Sequence, residues 1–162
     1  MTLFHDAETK LGLPFRHPAA LLATWFGAGL LRGPAGTWGS LAALPFAWVI
    51  EGEFGRCGLV LAAIVVFRIG CWAADVVERR SGVADLGAIV IDEVAAQWLV
   101  LAVVPRGLLA YALGFGLFRA ADILKPWPVS WADRRIGSGF GVMFDDVLAA
   151  GYAGVALMLL MQ

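Results

Sequence analysis

Seven charged side chains interrupt apolar stretches of this sequence, and their types suit the binding of a divalent cation and an anion. They are Asp92, Glu93, Arg119, Asp122, Lys125, Asp145 and Asp146. A charge at the centre of a membrane helix costs about 2.5–3.5 kcal/mol on insertion scales, so such residues are candidates for function. Carboxylate oxygens are the ligands that Mg²⁺ prefers, and Mg²⁺ commonly joins protein carboxylates to a substrate phosphate.

The spacing of these residues predicts which of them share a helix face. Arg119 and Asp122 are three residues apart, as are Asp122 and Lys125, so the three are expected on one face. Asp92 and Glu93 are adjacent and point about 100° apart, so they can contact different partners. The same holds for Asp145 and Asp146. Acidic groups on facing helices would repel each other, which favours a divalent cation between them.

A glycine-rich segment from Phe26 to Ser40 is the third candidate element. Its glycines allow the backbone to turn sharply and to approach a ligand closely. We expect Thr37 or Ser40 to cap the helix that follows, whose first amide groups would then favour an anion.

Two other interpretations of the charged residues stay open at this point. The first is a structural ion-pair network that fixes helix packing. The second is a cation transporter or channel, because acids inside a membrane also mark ion pathways. Against transport, the acidic residues are predicted to lie near one face of the bilayer. The opposite half holds only Arg68 and Asp75, which are seven residues apart and are predicted to be packing partners.

The composition indicates an integral membrane protein. Of the 162 residues, 60% are hydrophobic and 15% are charged, and the mean hydropathy is +0.80. Soluble domains have about 45–50% apolar and about 25% charged residues. The net charge of −1 predicts no nucleic-acid partner, and the two cysteines lack the spacing of a zinc site.

Five apolar stretches are candidates for crossing the bilayer, which takes about 20 residues. They run from about Gly39 to Ile50, Gly58 to Val77, Ala88 to Val104, Leu108 to Leu124 and Phe140 to Met161. A shorter run, Ala19 to Leu31, is predicted to be an interfacial or re-entrant helix. We therefore expect an all-α, polytopic transmembrane helix bundle with about four to five spanning helices. Residues 1–162 are expected to form a single domain, and the sequence predicts no particular oligomeric state.

The positions of Lys and Arg predict the orientation of this bundle. If the five stretches alternate, one side carries eight basic residues: Lys10, Arg16, Arg32, Arg79, Arg80, Lys125, Arg134 and Arg135. The other side carries only Arg56 and Arg106. The first side is therefore predicted to be cytosolic, and all seven charged candidates lie at similar depth on it.

Four motifs carry a resemblance to a known family. They are Phe26-Gly27 to Gly29 with Gly36-Thr37-Trp38-Gly39-Ser40; Ile89-Val90-Ile91-Asp92-Glu93; Phe118-Arg119-Ala120-Ala121-Asp122-Ile123-Leu124-Lys125-Pro126-Trp127-Pro128; and Gly139-Phe140-Gly141 with Asp145-Asp146. From about Ala23 to Gly151 the sequence resembles the phosphatidylglycerophosphatase A family, integral membrane enzymes that convert phosphatidylglycerophosphate to phosphatidylglycerol. The resemblance rests on these motifs in this order.

The resemblance implies a Mg²⁺-dependent lipid phosphomonoesterase of bacterial phospholipid synthesis. Its phospholipid substrate would be phosphatidylglycerophosphate, and its site would face the cytoplasm in a multi-pass protein of the inner membrane. The implied catalytic residues are Asp92, Glu93, Asp122 and Asp145. The implied phosphate-binding residues are Gly36, Thr37, Arg119 and Lys125. The implied Mg²⁺ ligands are Asp85, Asp92, Glu93, Asp145 and Asp146. Direct attack by water and a covalent aspartyl-phosphate route both remain open.

Overall fold

The computed structural model describes residues 8–160, and its regular elements in that range are all helical. Residues 8–11 are helical, and the elements after them are α1 (Pro18–Ala23), a 3₁₀ turn (Ala28–Leu30), α2 (Ala35–Ser81), α3 (Ile91–Leu101), α4 (Leu108–Leu124), α5 (Val129–Arg135) and α6 (Ser138–Leu160). The predicted all-α class is confirmed for this range. The predicted end of the last apolar stretch, Met161, lies outside the described residues.

Helix α2 is a hairpin of two helical arms. Gly55 interrupts it with φ 66° and ψ −174°, a conformation that side-chain-bearing residues rarely adopt. A Cβ atom at Gly39 would lie 2.6 Å from Val90 Cβ, and one at Gly70 would lie 3.3 Å from Ile91 Cγ2. Gly39 and Gly70 lie almost equally far from Gly55, on either side of it along the chain. Because Gly39 meets Val90 and Gly70 meets the next residue, Ile91, the chain reverses direction at Gly55. The first two predicted apolar stretches form these two arms.

Helix α3 is the buried centre of the fold. It has 11 residues, or about 16 Å at the helical rise, and nearly all of them are buried. The indole N–H of Trp98 donates a buried hydrogen bond of 2.9 Å to the carbonyl oxygen of Ala43 in α2. The prediction that Ala88–Val104 is one membrane-spanning helix is not confirmed, because a helix of this length does not cross about 30 Å of hydrocarbon. The stretch is apolar because other helices surround it.

Helices α2 and α6 are long and apolar enough to cross a membrane, by length and composition. Helix α4 has the predicted bounds and contains 17 residues.

The N-terminal run Ala19–Leu31 is not one continuous helix. The hydroxyl of Thr24 donates to the Ala20 carbonyl oxygen at 2.7 Å and accepts from the Gly27 N–H at 3.1 Å. A side chain that bonds the backbone in this way competes with the helical pattern. Helix α1 therefore ends at Ala23, and a separate 3₁₀ turn follows.

Polar contacts fasten the end of the fold at Gly55, which we call the far end. The hydroxyl of Tyr111, in the first turn of α4, donates to Glu51 Oε2 at 2.7 Å. The guanidinium of Arg106 lies 4.5 Å from the ring centroid of Trp48. These contacts tie the α2 hairpin to the α3–α4 loop and the start of α4. The other end of α4 carries Arg119 and Asp122.

The packing of α2 against Val90 predicts the effect of adding one methyl group at Gly39. In Gly39→Ala the new Cβ would meet Val90, and overpacking of this kind typically costs about 1–3 kcal/mol. We expect a lower midpoint of thermal unfolding for the purified protein in detergent. Gly116→Ala is the control, because a Cβ there meets nothing within 4 Å and alanine favours the helix by about 0.5–1 kcal/mol. An unchanged midpoint for Gly39→Ala would contradict the close approach of α2 and Val90.

Candidate functional site

A cavity of about 360 Å³ lies at the end of the fold opposite Gly55. Nine of the ten residues predicted from the sequence line it: Gly36, Asp85, Asp92, Glu93, Arg119, Asp122, Lys125, Asp145 and Asp146. Thr37 is the exception, since it is not part of the lining. Four helices and the loop before α3 thus bring residues far apart in the sequence into one site.

The start of α3 fixes the first acidic pair. The Val90 N–H donates to the Ala23 carbonyl oxygen at 2.8 Å, and the helix begins at the next residue. Asp92 and Glu93 therefore fall in the first turn, where the helix dipole favours negative charge. Asp146 enters the same region from α6 and is only 4% exposed.

Three carboxylates converge in the floor of the cavity. One oxygen from each of Asp92, Glu93 and Asp146 lies within 4.8 Å of the others. One oxygen on each of the three is also fully buried and has no hydrogen-bond partner among residues 8–160. Burying ionised groups without partners costs free energy unless a cation compensates them. The donor set of three carboxylates suits a hard divalent cation, and we call these residues the acidic triad.

Arg119 joins the acidic triad to two other helices. Its Nη1 lies 2.7 Å from Asp122 Oδ2 and 3.8 Å from Glu93 Oε1, and its side chain is 12% exposed. It also donates to Ser40 Oγ in α2 at 3.5 Å. A purely structural ion-pair network would account for these contacts, but it leaves the free oxygens of Asp92 and Asp146 unexplained. The buried guanidinium is therefore placed to meet an anion beside the triad.

Gly36 allows the first turn of α2 to reach this guanidinium. A Cβ atom at Gly36 would lie 2.9 Å from Arg119 Nη1 and would collide with Glu93 Oε1. Because only glycine lacks that atom, a larger residue would displace Arg119 or Glu93. The sequence prediction of Gly36 as a site residue thus has a steric reason.

The prediction that Thr37 or Ser40 caps α2 is wrong. The helix begins earlier, at Ala35, and its N-cap is Pro34, which offers no side-chain hydrogen bond. The Ser40 hydroxyl donates to the Gly36 carbonyl oxygen at 2.9 Å instead. The Thr37 N–H donates to the Pro34 carbonyl oxygen at 3.0 Å, so this amide is already engaged.

Lys125 binds two carboxylates at the rim of the cavity. Its Nζ donates to Asp133 in α5 and, at 3.2 Å, to Asp145 Oδ2 in α6. Burial disfavours the charged ammonium, but the hydrogen bonds and charges of Asp133 and Asp145 outweigh this effect and raise the pKa of Lys125. Lys125 is the left-handed C-cap of α4, with φ 43°, so the predicted shared helix face with Asp122 is not observed.

Asp85 and Asp145 line the cavity outside the acidic triad, although both were predicted as Mg²⁺ ligands. Asp145 contacts Lys125, as described above. The backbone N–H of Asp85 donates to Glu78 Oε1 at 2.6 Å.

Sequence reasoning missed Asp133 and Glu78, which also line the cavity. Asp133 lies in a short polar helix, so it interrupts no apolar stretch. Glu78 stands beside Arg79 and Arg80, where it resembles an ordinary charged helix end. Neither position carries a spacing signal that links it to the other site residues.

Asp75 is not the packing partner of Arg68 that the sequence predicted. Its carboxylate accepts from the Gly139 N–H at 2.7 Å and pairs with Arg79 at 3.3 Å. The amides in the first turn of α6 need acceptors, and Asp75 supplies one from α2. This contact holds the start of α6 against α2, and with it Asp145 and Asp146.

Comparisons with known proteins indicate the family of this chain. A family profile described as phosphatidylglycerophosphatase A matches residues 21–161. The chain is 39% identical to a phosphatidylglycerophosphatase A of Haemophilus influenzae over 142 residues, covering 87% of each chain. It is 37% identical to the Escherichia coli protein of that name, covering 90% of this chain and 84% of the relative.

A third relative is a putative phosphatidylinositol-3-phosphatase of Bacteroides thetaiotaomicron. It is 34% identical, over 85% of this chain and 89% of its own length. No solved structure matches the chain. The profile match and the coverage of the first two relatives place this chain in the phosphatidylglycerophosphatase A family.

Proposed function

We propose that this protein hydrolyses phosphatidylglycerophosphate to phosphatidylglycerol and inorganic phosphate. The observation that carries the proposal is the acidic triad, whose buried oxygens lack partners among the described residues and lie beside Arg119. A cation and a guanidinium side by side form a binding site for a phosphate monoester. The names of the Haemophilus influenzae and Escherichia coli relatives supply the lipid.

The proposed cofactor is Mg²⁺, held by Asp92, Glu93 and Asp146. When bound, Mg²⁺ would neutralise phosphate charge and lower the pKa of an adjacent water. Magnesium sites in proteins commonly consist of a few carboxylates together with water and substrate phosphate. The triad, with three carboxylates in an open cavity, matches that pattern.

The chain's own residues would bind the phosphate and stabilise the charge that develops on it. Arg119 is oriented by its ion pair with Asp122, which leaves its remaining N–H groups for phosphate oxygens. Gly36 leaves room for Arg119 and Glu93 to lie against the first turn of α2, beside the proposed phosphate position. Water attacks phosphorus, the bond from phosphorus to the glycerol oxygen breaks, and that oxygen takes up a proton. A nucleophilic carboxylate is the competing route.

We further propose that the protein is embedded in the bacterial inner membrane with the site at the cytoplasmic face. Exposed apolar residues on α2, α4 and α6 support contact with lipid: Leu61, Ile64, Val65, Leu108, Leu109, Val155, Leu159 and Leu160 are each more than half exposed. A soluble surface rarely carries so much apolar area. The two arms of α2, together with α4 and α6, would cross the bilayer.

The orientation follows from the basic residues near each end. Three basic residues lie close in the sequence to residues that line the cavity: Arg32, Arg79 and Arg134. Gly12 packs against the Arg80 carbonyl oxygen, so the segment around Gly12 lies at the same end of the fold. The far end has Arg56 and Arg106. Cytoplasmic segments are the ones enriched in Lys and Arg.

A cation transporter is disfavoured. The acidic residues of the cavity lie at one end of the fold, and the buried acid at the far end, Glu51, is bound to Tyr111. Between them, α3 is packed with residues such as Val94, Ala95 and Trp98. These positions offer no series of ionisable groups for an ion to follow.

The first prediction from the proposed function concerns the substrate and the metal. Purified protein in detergent should release phosphate from phosphatidylglycerophosphate with Mg²⁺ and should stop when EDTA is added. Phosphatidylinositol 3-phosphate, suggested by the name of the third relative, is the comparison substrate and should react more slowly. Preference for the inositol lipid would contradict the proposed substrate, and no release from either lipid by folded protein would contradict a lipid phosphatase.

The second prediction tests the acidic triad with Asp92→Asn and Asp146→Asn. Loss of a metal ligand should remove about 3 kcal/mol or more of transition-state stabilisation, which is at least about a hundredfold in kcat. In EDTA, the unfolding midpoint should stay equal or rise, because each change removes a buried carboxylate that has no partner. Glu53→Gln, an exposed acid at the far end, is the control and should keep full activity. Retained activity in both triad variants would exclude the metal assignment.

The third prediction concerns Arg119. Lysine keeps the positive charge but loses the planar, two-pronged hydrogen bonding to phosphate, so Arg119→Lys should lower kcat by about a hundredfold. Arg79→Lys is the matched control, since Arg79 forms an exposed ion pair outside the cavity. A wild-type rate for Arg119→Lys, measured as phosphate release at saturating lipid, would return Arg119 to a structural role.

A further inference from the structure

The cavity contains two groups of acidic side chains with different compensation. In the acidic triad, three carboxylate oxygens are buried without partners among the described residues. The second group, Asp133 and Asp145, already shares a cation, because the Lys125 ammonium donates to both. The first group therefore has only the shared charge of Arg119, through Glu93, whereas the second has a cation of its own built into the chain.

We propose that Lys125 is the second cation of this site, so that the protein binds one divalent ion per chain. The inference rests on the proposed function, in which the acidic triad holds that ion. The Lys125 ammonium occupies the position between Asp133 and Asp145 that a second divalent ion would otherwise take. Asp133, which no motif singled out, is then a positioning residue that acts through Lys125.

The backbone around Lys125 supports this assignment. Lys125 ends α4 in a left-handed conformation, and the following residue, Pro126, cannot continue the helix. The ammonium comes from α4, while its two acceptors come from α5 and α6. Bridging carboxylates from two separate helices is the task that metal ions usually perform in such sites.

Lys125 and Asp133 lie nearer to solvent than the acidic triad, whereas Asp145, at 7% exposed, is as deep as the triad. Asp92 and Asp146 are 9% and 4% exposed, whereas the side chains of Lys125 and Asp133 are 33% and 27% exposed. The triad thus forms the floor of the cavity and Lys125 its rim. A phosphate on the floor would have its glycerol oxygen directed outward, toward the rim.

An ammonium group has three donors, and two of them are used by Asp133 and Asp145. The third remains for a substrate oxygen. In two-metal phosphatases the second ion stabilises the leaving oxygen of the displacement. Lys125 would supply that positive charge by donating a hydrogen bond to the glycerol oxygen as its bond to phosphorus breaks.

The test counts bound ions without using activity. Mn²⁺ has the oxygen-ligand preference of Mg²⁺ and gives an electron paramagnetic resonance signal that falls on binding, so free ion can be titrated. Wild-type protein in detergent should bind one Mn²⁺ per chain. Lys125→Met removes the ammonium at nearly constant length and should bind two. Arg134→Met removes a neighbouring exposed charge outside the cavity and should still bind one.

A double variant identifies the second ion's ligands. Lys125→Met combined with Asp133→Asn should return the count to one. Two ions on wild-type protein, or one ion on folded Lys125→Met, would overturn the inference. The number of ions bound to wild-type protein tests the inference even if Lys125→Met fails to fold. Two ions bound to wild-type protein would mean that Lys125 does not take the place of a second ion. No ion on wild-type protein would instead contradict the acidic triad, and with it the metal dependence of the proposed function.

Discussion

The need to compensate buried negative charge governs the arrangement of this protein. Asp92, Glu93 and Asp146 meet at the floor of the cavity, where burial limits their contact with water and an unpaired buried ion costs several kcal/mol. Arg119 answers only part of that charge, because it is shared between Glu93 and Asp122. Under the proposed function, a bound cation compensates the rest. Three parts of the fold meet at this buried negative charge: the first turn of α3, the α2 hairpin and the start of α6.

Helix α3 makes the arrangement possible because it is short and surrounded. Its apolar residues pack on α2 and α6, while its N-terminus lies below the rim of the cavity. Trp98 binds Ala43, and at the far end Glu51 binds Tyr111, so α2, α3 and α4 are fixed to one another at two levels. Arg119, two turns from Tyr111 on α4, therefore meets Glu93 without depending on the metal. The guanidinium that we propose to bind phosphate is therefore positioned by the fold itself.

The sequence predicted which residues line the cavity better than it predicted the helices that carry them. Charges in apolar stretches identified seven of the residues that line the cavity, because such charges are costly unless used, whereas Gly36 and Asp85 followed from the family resemblance. Helix ends were less predictable. The apolar run of α3 cannot distinguish burial in protein from burial in lipid, and α2 begins before the serine expected to cap it. Asp133 was missed since its link to Lys125 depends on how α5 folds back after Pro126, which no spacing rule encodes.

The charge balance of the cavity implies an order of events. Eight acidic and two basic side chains line it, so without a metal ion the cavity would repel a phosphorylated lipid. Lys125 does not change this balance, because Asp133 and Asp145 already use its charge. Under the proposed function, a bound divalent ion would therefore be a condition for substrate binding as well as for hydrolysis. In the proposed function, the same acids that would keep out anions in the absence of metal would give the cation its affinity, so the two properties of the site would have one physical cause.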